Sequence, residues 1–328
     1  MDRKIVAVVI AVAVLVFVHR AEAQPAKVYR IGFLDSSSLS GARWEPLRQR
    51  LRELGWIEGK NIAFEYRFGE EKGFERLTEL AADLVQLKVD VIVARATNDA
   101  LAAKQSTSSI PIVMASGGDP VAAGLVNSLA HPGGNITGVT SLSPELNTKR
   151  LEILKDAVSK PILVGVLFLE ATTGVGVKRQ IKELDPAAEA LKLKLVYLEA
   201  KQESKGLENA FETAKRKKVA ALLTLNQPSL FAVANRIVDL SSKHRLPAIY
   251  VSREFVDEGG LMSYGINYPE QYRRAAYFVD RILRGTKPAD LPVEQPMKFE
   301  FIINLKAAKQ IGLTIPPEVL ARANKVIR

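Results

Sequence analysis

Arg30-Ile31-Gly32-Phe33-Leu34 and, 133 residues further on, Leu163-Val164-Gly165-Val166-Leu167 are two versions of one short apolar run. The likeness extends outward from them. The alternating stretch 63–67 returns at 195–199, and Val89-Asp90-Val91-Ile92-Val93 returns as Val219-Ala220-Ala221-Leu222-Leu223. Ile110-Pro111-Ile112-Val113-Met114-Ala115-Ser116 returns as Leu246-Pro247-Ala248-Ile249-Tyr250-Val251-Ser252. Four matches in one order, at nearly constant offset, make an internal repeat. Helix patterns lie between the runs. Leu47, Leu51 and Leu54 fall at helical spacing before Gly55, and 74–87 is apolar at Phe74, Leu77, Leu80, Ala81, Leu84, Val85 and Leu87. A third pattern covers 99–105. Strands alternating with helices predict a parallel sheet covered on both faces. The fold class is therefore α/β, with two similar doubly wound parallel-sheet lobes of about 110–130 residues each.

The residues after Ser252 do not open a third lobe. Gly259-Gly260-Leu261-Met262-Ser263-Tyr264-Gly265 reads as a turn and a strand, and 269–283 as a helix ended by Gly285 and Pro288. The stretch 292–303 is extended and 305–311 is a short helix. Such pieces complete the sheets of the two lobes, so the chain should cross between them about three times, near Ser143, Ser252 and Lys287. That assigns 24–143 plus 253–287 to an N-terminal lobe and 144–252 plus 288–328 to a C-terminal lobe, joined by a hinge.

Composition narrows the function classes. A chain of 328 residues, 47% hydrophobic and 25% charged, is an ordinary globular protein long enough for two domains. It has no cysteine, which removes disulfide frameworks, thiolate metal sites and cysteine nucleophiles. The net charge of +10 is spread along the chain among acids, and the one dense run, Lys215-Arg216-Lys217-Lys218, ends a helix pattern where cations suit the helix dipole. A nucleic-acid partner is therefore not expected. At the N-terminus, Arg3 and Lys4 precede an apolar run over 5–18, then Ala21-Glu22-Ala23 and Gln24-Pro25. This is the layout of a secretory signal peptide, residues 1–23, cleaved after Ala23. The run is short for a membrane span of ~20 residues. With no cysteine at the cleavage site the product is not a lipoprotein, and a periplasm is the expected location. His131 and His244 are then the only histidines of the mature chain.

In an open parallel sheet, ligands bind beyond the carboxyl ends of the strands. Two facing lobes can line one cleft with those ends. The residues there supply hydroxyls and amides for a small polar ligand: Ser36, Ser37, Thr97, Asn98, Ser116, Gly117, Gly118 and Asp119 in the first lobe, and Thr172, Asn226, Gln227 and Glu254 in the second. In Ser116-Gly117-Gly118-Asp119-Pro120, Asp119 suits the N-cap and Pro120 the first turn of a helix whose free N–H groups would favour an anion such as a carboxylate. An ordinary capped turn fits the same spacing. Tyr250, Tyr264 and Tyr268 are the aromatics near the cleft, with core packing the alternative for Tyr250, and Asn267 completes the candidate set. Trp44 and Trp56 are read as packing residues. No catalytic motif is present: no GxSxG elbow, phosphate loop, GxGxxG after the first strand or zinc motif. Catalytic, metal and cofactor sites are therefore not expected.

Several longer stretches carry a family resemblance. Glu53-Leu54-Gly55-Trp56-Ile57-Glu58-Gly59-Lys60-Asn61-Ile62, Gly118-Asp119-Pro120-Val121, His131-Pro132-Gly133-Gly134-Asn135-Ile136-Thr137-Gly138 and Gly259-Gly260-Leu261-Met262-Ser263-Tyr264-Gly265 resemble motifs of the ABC-transporter substrate-binding proteins that include tryptophan-type amino-acid binders. Leu291-Pro292-Val293-Glu294-Gln295-Pro296 and Ile303-Asn304-Leu305-Lys306 extend the likeness to the C-terminal end. His131 stands where arginine is common, at a turn position. The resemblance implies a type I periplasmic-binding fold with a cleft that closes about a hinge. It implies capture of a small polar ligand, an amino acid (aromatic ones included) or a related carboxylate. It implies delivery to an inner-membrane permease with a separate ATPase, by a monomer without catalysis. An extracytoplasmic sensor partnering a membrane signalling protein and a secreted α/β hydrolase are the alternatives.

Overall fold

The computed structural model describes residues 27–37, 41–70, 72–141, 144–158, 163–170, 175–201 and 205–328. The signal-peptide assignment at 1–23, the candidate Thr172 and the crossing at Ser143 fall outside them.

Two sheets form. The first has five parallel strands in the order β2-β1-β3-β4-β5: β1 (Tyr29–Asp35), β2 (Ile62–Phe68), β3 (Val91–Ala94), β4 (Ile112–Gly117) and β5 (Ile136–Thr140). The second has seven, in the order β12-β11-β10-β9-β8-β6-β7. These are β6 (Leu163–Leu169), β7 (Lys194–Ala200), β8 (Ala221–Thr224), β9 (Ala248–Tyr250), β10 (Met262–Ile266), β11 (Phe299–Asn304) and β12 (Lys325–Ile327). Only β11 runs antiparallel to a neighbour, pairing with β10. The sequence repeat is visible as β2-β1-β3-β4 against β7-β6-β8-β9.

Both sheets are covered on both faces, so their central strands are mostly apolar. Every residue of β3 and of β8 is buried. On one face of the first sheet, Trp44, Leu47 and Leu51 pack with Tyr272, Ala275, Phe278 and Val279. On the other face Leu77, Leu80 and Leu84 pack with Ala100 and Ala103. In the second lobe Leu151, Leu154, Leu184 and Ala307 fill one face, and Leu207, Phe211, Ile237 and Phe255 the other. Trp44 is a core residue, as expected, and Trp56 donates from Nε1 to Asp280 Oδ1 at 2.8 Å.

The repeat is one strand longer than the sequence suggested. β5 follows β4 and pairs with it, and β10 follows β9 in the same way. Each of these fifth strands leads to a helix that covers the other lobe. Helix Pro144–Ala157, after β5, packs on β8, β9 and β10. Helix Tyr268–Leu283, after β10, packs on β3, β4 and β5. This exchange moves two expected boundaries. Residues 253–266 stay with the second lobe because β10 is hydrogen-bonded to β9 and β11, so the crossing expected near Ser252 falls at about Asn267 instead. The crossing expected near Lys287 falls after Glu294, because 288–294 is tied to β5. Thr137 Oγ1 donates to the Leu291 carbonyl at 2.6 Å, and the Thr140 amide to the Glu294 carbonyl at 2.9 Å.

Candidate functional site

The carboxyl ends of the strands face one another between the lobes, and the first lobe's side is built on a buried ion pair. Asp35 ends β1 and Arg95 follows β3, a strand directly hydrogen-bonded to β1. Parallel neighbours end side by side, so the two side chains meet: Arg95 Nε lies 2.5 Å from Asp35 Oδ1. The same oxygen accepts from the Ser37 amide at 3.0 Å and its hydroxyl at 2.8 Å, and Arg95 Nη2 donates to Ser36 Oγ at 3.1 Å. Asp99, fully buried in the first turn of helix Thr97–Ser106, accepts from the Ala96 amide at 2.8 Å. Burial resists the charge on Arg95, but Asp35 and Asp99 outweigh it and hold the guanidinium above its ordinary range. Burial pushes Asp99 the other way, up to about 6, against the pull of Arg95 and with help from the Asp35 charge. Asp35 Oδ2 and Asp99 Oδ1 are buried without hydrogen-bond partners.

The glycine turn beside this pair is held from two sides. Thr97 Oγ1 accepts from the Gly118 amide at 2.8 Å, and Thr140 Oγ1 donates to the Gly118 carbonyl at 2.5 Å. The expected helix start at Asp119-Pro120 is a single turn, ended by Gly124 at φ +67°. Asp119 does cap it, accepting from the Val121 and Ala122 amides at 3.1 and 3.0 Å. Those N–H groups are thus satisfied by Asp119 itself, which removes the reason for expecting an anion there. The other oxygen of Asp119 pairs across the cleft with Arg179, in helix Val175–Ala190 of the second lobe.

An aromatic line crosses the same region. Trp44 lies 5.3 Å from Tyr272 between ring centroids, Tyr272 is 6.4 Å from Tyr268, and Tyr268 meets Phe231 edge-on at 6.4 Å. Phe231 in turn packs on Phe255 at 5.5 Å. The line runs from the first lobe's core, past the hinge, to the second lobe's core. Burial and the Glu254 charge raise the Tyr268 phenol to about 12, while Arg150 and Arg95 oppose them, so this hydroxyl sits among charged groups of both lobes. Glu254 accepts the Ser252 hydroxyl; burial raises its carboxyl, and Arg43 of the first lobe opposes the rise.

The structure sorts the candidates read from sequence. Ser36, Ser37, Thr97, Ser116, Gly117 and Gly118 gather on the first lobe's rim of the cleft, with Asn226 and Glu254 at strand ends of the second. Ser116 Oγ and the Asn226 side-chain amide have no partner among the described residues, whereas the Asn226 backbone is bracketed by Gln180 at 2.9 and 3.0 Å. Asn98 is exposed on the first turn of its helix. Three candidates are engaged elsewhere. Gln227 ties β6 to the next loop through the Leu169 amide and carbonyl at 2.9 and 3.0 Å. Asn267 caps helix Tyr268–Leu283, accepting from the Glu270 amide at 3.0 Å, and donates to Glu300. Tyr250 is a core residue, 1% exposed and stacked on Phe255 at 4.9 Å. Tyr264 packs beside Phe299 and Phe301. The sequence reading placed Asp35 and Arg95 at strand ends by the cleft but left them out of the candidate set, and it passed over Asp99, Arg150, Arg179, Phe231 and Tyr272. A charged residue at the end of a β1-like or β3-like run was a usable signal for Asp35 and Arg95; the others sit inside helix patterns that carry none.

Comparison with known proteins places this geometry among binding proteins. A family model described as ABC transporter substrate binding protein matches residues 31–327. A tyrosine-binding protein of Clostridioides difficile is 29% identical over 269 residues, 80% of this chain and 74% of that one. A structure from Streptococcus pneumonia, described as an ABC domain in complex with L-Trp, is 25% identical with a TM-score of 0.82, covering 92% of this chain and 100% of that one. At 14% identity, the 5-methylthioribose transporter solute binding protein of Thermotoga lettingae bears on the fold alone, with a TM-score of 0.58 over 92% of this chain and 97% of that one. The two-lobed arrangement is the type I periplasmic-binding fold, and the relatives are binding proteins rather than enzymes.

Proposed function

The chain belongs to the ABC transporter substrate-binding protein family, and from that membership we propose that it captures an amino acid, with an aromatic side chain, between its lobes. The observation that carries the reading is the pairing of free polar groups with the aromatic line. Ser116 Oγ and the Asn226 amide stand at strand ends of opposite lobes without partners among the described residues, while Tyr268 and Phe231 meet edge-on where the lobes join. A zwitterion with a flat apolar part needs both kinds of surface. The likeness to a tyrosine-binding protein and to a structure holding L-Trp supports the same solute class. Ser36, Ser37, Thr97, Gly117, Gly118 and Glu254 complete the proposed contact set. Affinity of ~1 μM corresponds to about −8 kcal/mol, within reach of several hydrogen bonds and one enclosed ring.

The remaining parts of the proposal follow from the family and the N-terminal sequence. The signal peptide is removed after Ala23, the mature chain works as a monomer in the periplasm, and the loaded form docks on an inner-membrane permease served by a separate ATPase. The lobes are 24–141 with 267–296, and 144–266 with 297–328. The test is a thermal-shift screen of mature protein, unfolded and refolded to strip carried-over solute. Ligand at ~100 times its dissociation constant adds about 2.7 kcal/mol of stability. A shift with L-tryptophan, L-tyrosine or L-phenylalanine is expected. A shift with sugars alone would overturn the amino-acid reading.

A further inference from the structure

Arg150 has no counter-ion among the described residues. It lies in helix Pro144–Ala157, is 3% exposed, and forms no ion pair among the described residues. The contrast with Arg95 is direct, since that buried guanidinium has Asp35 at 2.5 Å. Arg150 is held instead by neutral acceptors. Nε donates to the Tyr264 carbonyl at 2.6 Å, and Nη1 to Asn147 Oδ1 at 2.7 Å. Asn147 is itself 3% exposed, and the Tyr264 carbonyl belongs to β10. Nη2 has no acceptor among the described residues. Burial draws the guanidinium down to about 10, which still leaves it charged at neutral pH.

A buried cation without a countercharge is strongly unfavourable, and a fold that needed only a donor to the Tyr264 carbonyl could use a neutral one. The position supplies a reason for the charge. Arg150 stands in the helix that follows the first crossing, its acceptor Tyr264 lies just before the second, and Tyr268 just after it. The Tyr268 phenol is within electrostatic reach of both Arg150 and Arg95. Arg150 therefore lies beside the segments that cross between the lobes, with Nε and Nη1 held and Nη2 without an acceptor among the described residues. A guanidinium fixed in plane with a free edge is suited to a carboxylate.

We propose that Arg150 determines the solute class by donating from its free Nη2 edge to a carboxylate of the bound ligand. The inference rests on reading the cleft as the solute site, but it does not require that the solute be an amino acid. On this view Asn147 and the Tyr264 carbonyl are positioning groups that set the plane of the fork.

The experiment uses stripped, refolded mature protein as wild type, Arg150→Met and Arg150→Lys. Each is titrated calorimetrically with L-tryptophan, L-tyrosine, their decarboxylated amines tryptamine and tyramine, phenylacetate and succinate. The expected result is that a carboxylate probe binds wild type and loses about 30-fold or more in affinity in Arg150→Met, with a smaller loss in Arg150→Lys. Tryptamine and tyramine should bind wild type no better than they bind Arg150→Met. The ligand-free melting temperature of Arg150→Met should equal or exceed that of wild type, because an uncompensated charge has been removed. Unchanged carboxylate affinity in Arg150→Met, amines that bind as tightly as their amino acids, or no carboxylate bound by wild type would each overturn the proposal. Binding of phenylacetate or succinate but not of amino acids, lost in Arg150→Met, would sustain it while rejecting the aromatic amino-acid reading. Should Arg150→Met fail to fold, Arg150→Lys and Arg150→Gln carry the same comparison.

Discussion

Two cleft residues make separable predictions about chemistry and stability. Ser116 has a hydroxyl with no partner among the described residues, so Ser116→Ala removes no hydrogen bond that they make. Its melting temperature should match wild type, while affinity for the solute falls by roughly the 0.5–1.5 kcal/mol of one hydrogen bond. Calorimetry on both proteins checks this, and equal affinities would take Ser116 out of the site. Asp99 makes a pH prediction. Its folded carboxyl is raised to about 6, chiefly by burial, above the ordinary unfolded value. Between pH ~4 and ~6 the folded state therefore holds a proton that the unfolded state has lost, and stability falls as pH rises through that window. Above it the loss is complete and the slope from this group vanishes. Asp99→Asn keeps an acceptor for the Ala96 amide and cannot titrate, so its stability should be flatter than wild type from pH 4 to 6. Urea unfolding at several pH values measures the difference, and identical slopes would show that Asp99 does not titrate there.

The fifth strand of each lobe is where the elements deviate from a plain repeat, and each carries a glycine that its neighbour requires. Gly138 in β5 has φ +124°, and a Cβ there would lie 2.2 Å from the Met114 carbonyl oxygen of β4. Gly265 in β10 would put a Cβ 1.9 Å from the Val251 carbonyl oxygen. Both strands thus press on backbone in or just after the fourth strand, shortly before the chain crosses between lobes. Gly138→Ala combines a steric clash with an unfavourable φ and should cost roughly 2–4 kcal/mol. Gly55→Ala, at φ +93° in open space, meets only the second penalty and should cost about 1–2 kcal/mol. Chemical denaturation of the two variants side by side tests the ranking. The strand within 259–265 was legible in the sequence, but its kinship with β5 was not, because 259–265 is glycine-rich and resembles 135–139 poorly.

Across the whole molecule, the pair between Arg179 and Asp119 is an ionic contact that joins the lobes among the described residues. Arg179 is 42% exposed on its side chain, so the pair is screened and contributes little to folding. Its effect belongs to the equilibrium between open and closed cleft, where even about 1 kcal/mol shifts populations several-fold. Arg179→Ala should leave the melting temperature of the stripped protein within a degree or two, enlarge its radius of gyration in small-angle scattering, and weaken solute binding by about three- to tenfold. An unchanged radius and affinity would mean that the pair does not govern closure.

What the sequence determined by itself is the series of strands that recurs in the two lobes, their order and their doubling, while β5 and helix Pro144–Ala157 were not read from it. Apolar periodicity and the repeat from Arg30 to Leu163 report burial of short local segments, and that is written in consecutive residues. The strand ends near Ser36, Thr97, Ser116 and Asn226 were legible for the same reason, since a strand's carboxyl end is a local feature. Only the tertiary structure decided which sheet 253–266 joins, because pairing of β10 with β9 is a contact between strands and leaves no periodicity of its own. It alone separated Gln227, Asn267 and Tyr250, whose polar groups or rings are engaged by the fold, from Ser116 and Asn226, whose groups are free. It alone showed that Arg95 has a carboxylate and that Arg150 has none among the described residues: the partner of Arg95 lies 60 positions away and is brought to it only when the sheet forms.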